Sequence, residues 1–350
     1  MSNKELGSEF SEKSYNSGVN EYFDLTGMNR RFVLSGRTAL HLVALELKNK
    51  HICSIALPDY LCGTMVQPFY DEKFTISFYE SGNMGKIQSI CKSSAVLIMD
   101  YFGFLREETV NFASQCRDMG KTIIVDATQT AFSKSKLYEL TDYIIVSYRK
   151  WFDCLCAAVY SKKDFVTPDY QKKYPIYVDT WRIAANKKRQ YIHTGEGSKD
   201  EYLRLYFQAN AMLNDYQYYS ACDSEKERLL NCNSRDLIQK RRLNAKYLID
   251  SIKSLNNSNI ELMFEDLKTE DCPLFVPVKI KKHRNVIKNE LIKRDIYCPS
   301  HWPINKNYPY KENILYEQEL SLICDQRYSI EDMEMQINVL AEIFNKHFVP

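Results

Sequence analysis

Two ionisable residues close two apolar runs in the first half of the chain: Asp126 ends TIIVD, and Lys150 ends YIIVSYRK. A lysine amine can form a Schiff base with an aldehyde cofactor, and a carboxylate paired with a pyridinium nitrogen keeps that ring protonated and able to accept electrons. Together Lys150 and Asp126 describe the catalytic pair of a pyridoxal phosphate site. Either residue alone would more often be an ordinary strand-end loop residue. A phosphate also needs a cradle, and LSGRTALHLVALELK offers one. Gly36, Arg37 and Thr38 precede Leu40, Val43, Ala44 and Leu47, whose i, i+3, i+4, i+7 spacing is that of a helix. Free N–H groups and the positive dipole end of such a helix bind anions, Gly36 lets the backbone approach closely, and Thr38 offers a hydroxyl. Ser147, three residues before Lys150, supplies another donor.

These residues need elements to bring them together. Residues 123–125 and 144–146 are short, continuous and β-branched, which suits strands buried on both faces of a parallel sheet. Ligands of open α/β sheets sit beyond the carboxyl ends of the strands, so Asp126 and Lys150 are expected to meet in one crevice. A chain of 350 residues with 45% hydrophobic content can bury a large core. The expected organisation is an N-terminal arm over residues 1–24, a large α/β domain over 25–225, and a bridging helix with a small C-terminal α+β domain over 226–350. In the last of these, LFVPVKI reads as a strand, HRNVIKNELIKRD as a helix, and IYCPSHWPI as a strand leaving through a Pro-rich turn. The segment from SIEDMEMQ onward reads as an amphipathic helix capped by Ser329.

Charge and composition narrow the function classes. Lys plus Arg (47) nearly balances Asp plus Glu (45), leaving no net field to favour nucleic acid or an anionic membrane. No apolar run approaches membrane-spanning length, and MSNKELGSEFSEKSYNSG lacks the apolar core of a signal peptide, so a cytoplasmic location is expected. The 11 cysteines include no C-x-x-C and the 6 histidines are dispersed, which predicts reduced thiols and no metal site. Cys298 and His301 read as a turn beside Pro299 and Pro303, and Cys154, near Lys150, is a secondary candidate for a reactive thiol.

The order of phosphate loop, Asp126 and then Ser147-x-x-Lys150 is that of fold type I pyridoxal phosphate enzymes, with a mostly parallel sheet flanked by helices. More closely, the chain resembles the DegT/DnrJ/EryC1/StrS aminotransferases, through SGRTAL, ALPDYLCGTMVQPF, MDYFGF, DATQTAFS and VSYRKWF, over about residues 25 to 160. The resemblance implies that Lys150 is the Schiff-base lysine, that Asp126 bonds the pyridine nitrogen, and that Gln129 lies beside the ring near its phenolic oxygen. It places Gly36, Arg37, Thr38 and Ser147 around the phosphate and Tyr60, just after Pro58, against the ring face. His301 and Trp302 turn toward the substrate in this alignment, or form a packed corner. A homodimer, a glutamate donor and a nucleotide-linked keto sugar acceptor are also implied.

Two departures stand out. Many relatives place the serine five residues before the lysine, where this chain has three. Their Gly-x-Asn-Tyr-Arg-like stretch, which reaches into the neighbouring subunit, has no clear match in YIHTGEGSKDEYLRLYFQAN. Either a local residue such as Glu196 or Lys199 replaces that contact, or the acceptor differs. Two other classes stay open: a pyridoxal enzyme that does not transaminate (dehydratase, lyase or acyl-condensing), and a non-catalytic relative.

Overall fold

The computed structural model describes residues 5–11, 17–22, 27–81, 90, 92–304, 307–308 and 313–347. After a two-residue strand β1 (Leu6–Gly7), the β-branched runs build one seven-stranded sheet from β2 (Asn29–Val33), β3 (Ser54–Pro58), β4 (Thr75–Tyr79), β5 (Ala95–Ile98), β6 (Thr122–Asp126), β7 (Tyr143–Ser147) and β8 (Ala157–Ser161). The spatial order is β2-β8-β7-β6-β5-β3-β4. Neighbours from β7 to β4 pair in parallel, and β8 runs antiparallel to both β7 and β2. Every strand of this sheet except β8 therefore delivers its carboxyl end to the same edge, the edge where an α/β sheet binds ligands.

Side-chain alternation sorts the apolar runs onto the two faces. Ile124 and Ile145 pack with Leu40, Val43 and Leu47 of α1 (Gly36–Asn49), a helix whose buried face holds it against β7 and β8. Ile123, Val125 and Ile144 point the other way, onto Phe112, Ala113 and Cys116 of α3 (Glu107–Asp118), which follows α2 (Gly63–Asp71) in the chain. Beyond β8 come the hairpin of α4 (Pro175–Thr194) and α5 (Lys199–Met212), then α6 (Asp223–Leu230) and the long α7 (Ser234–Ser254). The C-terminal part is a three-stranded antiparallel sheet, β9 (Ile260–Leu262), β10 (Val276–Ile280) and β12 (Glu319–Leu322), in the order β12-β10-β9. With it lie α8 (Arg284–Ile292), β11 (Ile296–Tyr297), α9 (Leu315–Gln318) and α10 (Ile330–His347).

Two local expectations are corrected. The strand read from LFVPVKI begins only at Val276. The segment IYCPSHWPI gives two strand residues, Ile296 and Tyr297, which pair in parallel with Leu6 and Gly7 before Pro299 ends the run. Ser329 precedes α10; its N–H donates to Asp332 Oδ2 at 3.0 Å and its hydroxyl donates to the same oxygen, the reverse limb of a capping box.

Just past β5 the Asp100 carboxyl is buried, with no hydrogen-bond partner among the described residues for either oxygen. Burial pushes it up to about 7, with the charge of Arg106 offsetting part of the rise. A carboxyl raised on folding costs nothing below its unfolded pKa, and its cost grows as pH climbs from about 4 to about 7. Asp100→Asn is therefore expected to stabilise the fold by on the order of 3 kcal/mol at pH 8 and little at pH 4. Urea midpoints at the two pH values check this, and an equal shift at both would contradict it.

Candidate active site

A cavity of about 530 Å³ lies beyond the carboxyl ends of β2, β6 and β7, walled on its far side by the C-terminal part of the chain. Lys150 ends a 3₁₀ turn (Tyr148–Lys150) that follows β7 directly, and its side chain is accessible from within the cavity. The next residue fixes that turn. Trp151 is fully buried, its indole N–H donates to the Thr128 carbonyl at 2.7 Å, and the Arg241 guanidinium stacks 4.7 Å from its ring centroid. The Trp151 carbonyl accepts from Arg241 Nη2 at 3.2 Å and from Gln326 Nε2 at 2.8 Å. Protein surrounding the Lys150 ammonium, and then the adjacent charge of Arg149, hold its pKa below the usual lysine range.

Asp126, the last residue of β6, is buried on the cavity wall and accepts from the Thr128 N–H at 2.8 Å. Burial raises its pKa. The Thr128 hydroxyl in turn accepts from the Ser147 N–H at 3.1 Å, which ties the ends of β6 and β7 together. Gln129 also lines the cavity, oriented by the Phe102 N–H, which donates to its Oε1 at 2.5 Å. The turn carrying Phe102 depends on Gly103: at its φ of +91° a Cβ would stand 2.0 Å from the Cys272 carbonyl oxygen.

The helix end expected to hold a phosphate does open on this cavity. Gly36, Arg37 and Ser147 line it, and a Cβ on Gly36 would lie 3.1 Å from that of Ser147, a tight approach that glycine avoids. Arg37 donates from Nη1 to the Leu213 carbonyl at 2.9 Å. Thr38 is a correction. It is fully buried and not among the lining residues; its N–H is capped by Ser35 Oγ at 3.2 Å and its hydroxyl donates to the Tyr216 carbonyl at 2.8 Å.

Tyr60 is a second correction. It does not line the cavity but lies behind it, its ring 5.1 Å from Trp302 and 5.1 Å from Tyr316, with no hydrogen-bond partner for its hydroxyl among the described residues. His301 and Trp302 both reach the lining. They are also packed: His301 Nδ1 is 3.1 Å from Ser321 Oγ, its N–H donates to the buried Glu319 at 2.5 Å, and its ring lies 5.1 Å from that of Trp302. Cys154 is fully buried, its thiol donates to the Glu225 carbonyl, and burial pushes its pKa well up, so it is an inert core thiol. Glu196 is exposed in the turn between α4 and α5, and Lys199 pairs with Glu5 and Asp295; neither lines the cavity.

Four contributors were not singled out in the sequence. Arg149 lines the cavity beside Lys150, 5.0 Å from the Trp181 ring and donating to Asn210 Oδ1 at 2.8 Å; its position next to the lysine was the available signal. Arg241 and Arg327 arrive from α7 and from the loop after β12. Residues 7–10 also enter the wall, with nothing in their composition to announce it. Among the described residues no group of three or more His, Cys, Asp or Glu side chains is arranged to hold a metal ion, and no helix is long and apolar enough to cross a membrane.

No protein-family model matches the chain, and no curated protein matches it in sequence. Solved structures do match. PseC from Helicobacter pylori, an aminotransferase involved in the biosynthesis of pseudoaminic acid, superposes with a TM-score of 0.63 at 13% identity, covering 97% of this chain and 100% of that one. The chain has the fold of the sugar aminotransferases. Spr1654 from Streptococcus pneumoniae, assigned as a sugar aminotransferase and solved in its PMP form, gives a TM-score of 0.63 at 14% identity over 91% of this chain and 86% of that one. A DegT DnrJ EryC1 StrS aminotransferase from Brucella abortus gives 0.57 at 13% identity over 91% and 86%. The aminotransferase fold therefore extends over the C-terminal part, well past the segment that carries the sequence resemblance.

Proposed function

We propose that this protein is a pyridoxal phosphate-dependent aminotransferase, a cytoplasmic homodimer that moves an amino group from glutamate to a keto sugar carried on a nucleotide. One observation carries the reading: Lys150, the buried Asp126 and the glycine-opened end of α1 face a single cavity in the aminotransferase fold. The donor set suits the cofactor. An amine stands in the cavity, a carboxylate lines its wall, and a helix N-terminus is flanked by Arg37, Arg149 and the Ser147 hydroxyl. Exposed apolar side chains at Ile183, Leu203 and Phe207 on α4 and α5 are in keeping with a second subunit.

Bound there, pyridoxal phosphate supplies an aldehyde that takes up amines and a ring that accepts electrons from the substrate carbon. Lys150 would hold that aldehyde at rest and, once released, would move the proton at the reacting carbon; burial and the charge of Arg149 lower its pKa from the usual lysine range, which favours the neutral amine. Asp126 keeps a proton on the ring nitrogen, fixed in place by Thr128. Gly36, Arg37 and Ser147 would hold the phosphate, Gln129 would stand beside the ring, and His301 and Trp302 would form the substrate wall, all of them lining the cavity.

The test is the absorption spectrum of the protein loaded with pyridoxal phosphate, before and after glutamate. Loss of the aldehyde-form band is the expected outcome. A band that forms but ignores glutamate and other amino donors would replace the aminotransferase reading with a non-transaminating one, and no band at all would point to a non-catalytic relative.

A further inference from the structure

Residues 5–11 run as a strap along one wall of the cavity, anchored on two sides. Toward the C-terminal part, Leu6 and Gly7 pair with Ile296 and Tyr297, and the Gly7 N–H donates to Tyr328 Oη at 2.8 Å. Toward the α4–α5 hairpin, the buried Glu5 accepts from Tyr202 Oη at 2.9 Å and pairs with Lys188 at 3.5 Å and Lys199 at 2.9 Å. Tyr206 Oη donates to the Phe10 carbonyl at 3.3 Å.

Between these anchors the backbone of Glu9 is clamped. Its carbonyl accepts from Lys188 Nζ at 2.9 Å and from Arg327 Nη1 at 3.4 Å, and the Arg327 guanidinium covers the Phe10 ring at 4.1 Å. The Glu9 side chain is half-buried in the cavity lining, and no described residue hydrogen-bonds to or pairs with its carboxylate. The nearest cations on the strap side are committed elsewhere, Arg327 to both oxygens of Asp325 at 2.9 and 2.8 Å and Lys188 to Glu5. Its charge still reaches the cavity cations, favouring the protonated forms of Lys150 and Arg149. A partly buried carboxylate with unused lone pairs calls for hydrogen-bond donors. Adjacent hydroxyl groups supply two donors at once, whereas a second carboxylate supplies none and adds repulsion.

We propose that Glu9 is a specificity-determining residue: held on the strap in the cavity wall, its carboxylate accepts hydrogen bonds from the hydroxyl groups of a sugar acceptor and disfavours ligands that carry carboxylates. This role rests on the aminotransferase reading above. It also implies that Glu9 raises the concentration of a dicarboxylate donor needed to fill the site.

The experiment compares wild type with Glu9→Gln, an isosteric change that leaves the strap backbone its bonds, both loaded with pyridoxal phosphate. Calorimetry measures affinity for glutarate as a dicarboxylate and for UDP-N-acetylglucosamine as a hydroxyl-rich sugar nucleotide. The Gln variant is expected to bind glutarate about tenfold tighter and the sugar nucleotide about tenfold more weakly. Affinities for both ligands within about twofold of wild type, or no sugar nucleotide binding to either protein, would overturn the proposal. Should the Gln variant fail to melt cooperatively, Glu9→Asp gives the reading, with weaker sugar nucleotide binding and glutarate still poorly bound. Failure of the aminotransferase reading itself shows separately, as a wild-type spectrum that glutamate leaves unchanged.

Discussion

Lys150→Ala is expected to lower turnover by at least about 10⁴-fold while leaving the fold intact. Two properties of the site support an effect of that size. The Lys150 amine reaches the cavity with its charge disfavoured by burial and by Arg149, which favours the neutral base that proton transfer needs, and among the described residues no other lysine lines the cavity to replace it. The side chain also carries none of the turn's anchoring, which falls to Trp151 with Thr128, Arg241 and Gln326. Borohydride trapping with peptide mapping checks both parts: the label should sit on the Lys150 peptide in wild type and vanish in the variant, with melting unchanged. Lys150→Arg should be as inactive, because a guanidinium keeps the charge but is neither nucleophile nor base at neutral pH. A fully active Lys150→Ala, or a label on another lysine, would remove the basis for the cofactor site.

Asp126→Asn is the second large effect, a fall in turnover of about 10³-fold with the protein still folded and still labelled at Lys150. The amide oxygen can accept the Thr128 N–H that the carboxylate now takes at 2.8 Å, so the link between β6 and β7 survives the change. On the proposed reading, what is lost is the negative charge that would keep a proton on the ring nitrogen, and with it the ring's capacity to accept electrons. The burial that raises the carboxyl pKa also excludes water that could otherwise stand in for the charge. Single-turnover rates with glutamate measure the defect. A near-normal rate would mean that Asp126 only shapes the loop.

The placement of Asp126, Lys150, Gly36 and Ser147 was legible because each sits at the end of a strand or the start of a helix that declares itself by periodicity. In an α/β sheet such ends converge whatever the rest of the chain does. Thr38 and Tyr60 were not legible in the same way. Thr38 lies in the first turn of α1, but its hydroxyl is taken by a carbonyl 178 residues further along the chain. Tyr60 follows a strand correctly read, but Trp302, from a loop the sequence could not dock, packs against it and lines the cavity where Tyr60 does not. Arg241, Arg327 and Glu9 reach the lining through long-range packing, which leaves no local trace.

One wall of the cavity joins remote parts of the chain: the Gly7 N–H and the Tyr328 hydroxyl that accepts it are separated by 321 positions. Closing so long a loop is an entropic cost met late, and contacts of this span are what slow folding. During synthesis the sheet that carries Lys150 and Asp126 can be complete while residues 5–11 have no partner strand, because Ile296 and Tyr297 have not yet been made. The sheet that carries Lys150 and Asp126 is thus made early, whereas the wall formed by residues 5–11 closes late, together with the Arg241 and Gln326 contacts that hold the Lys150 turn.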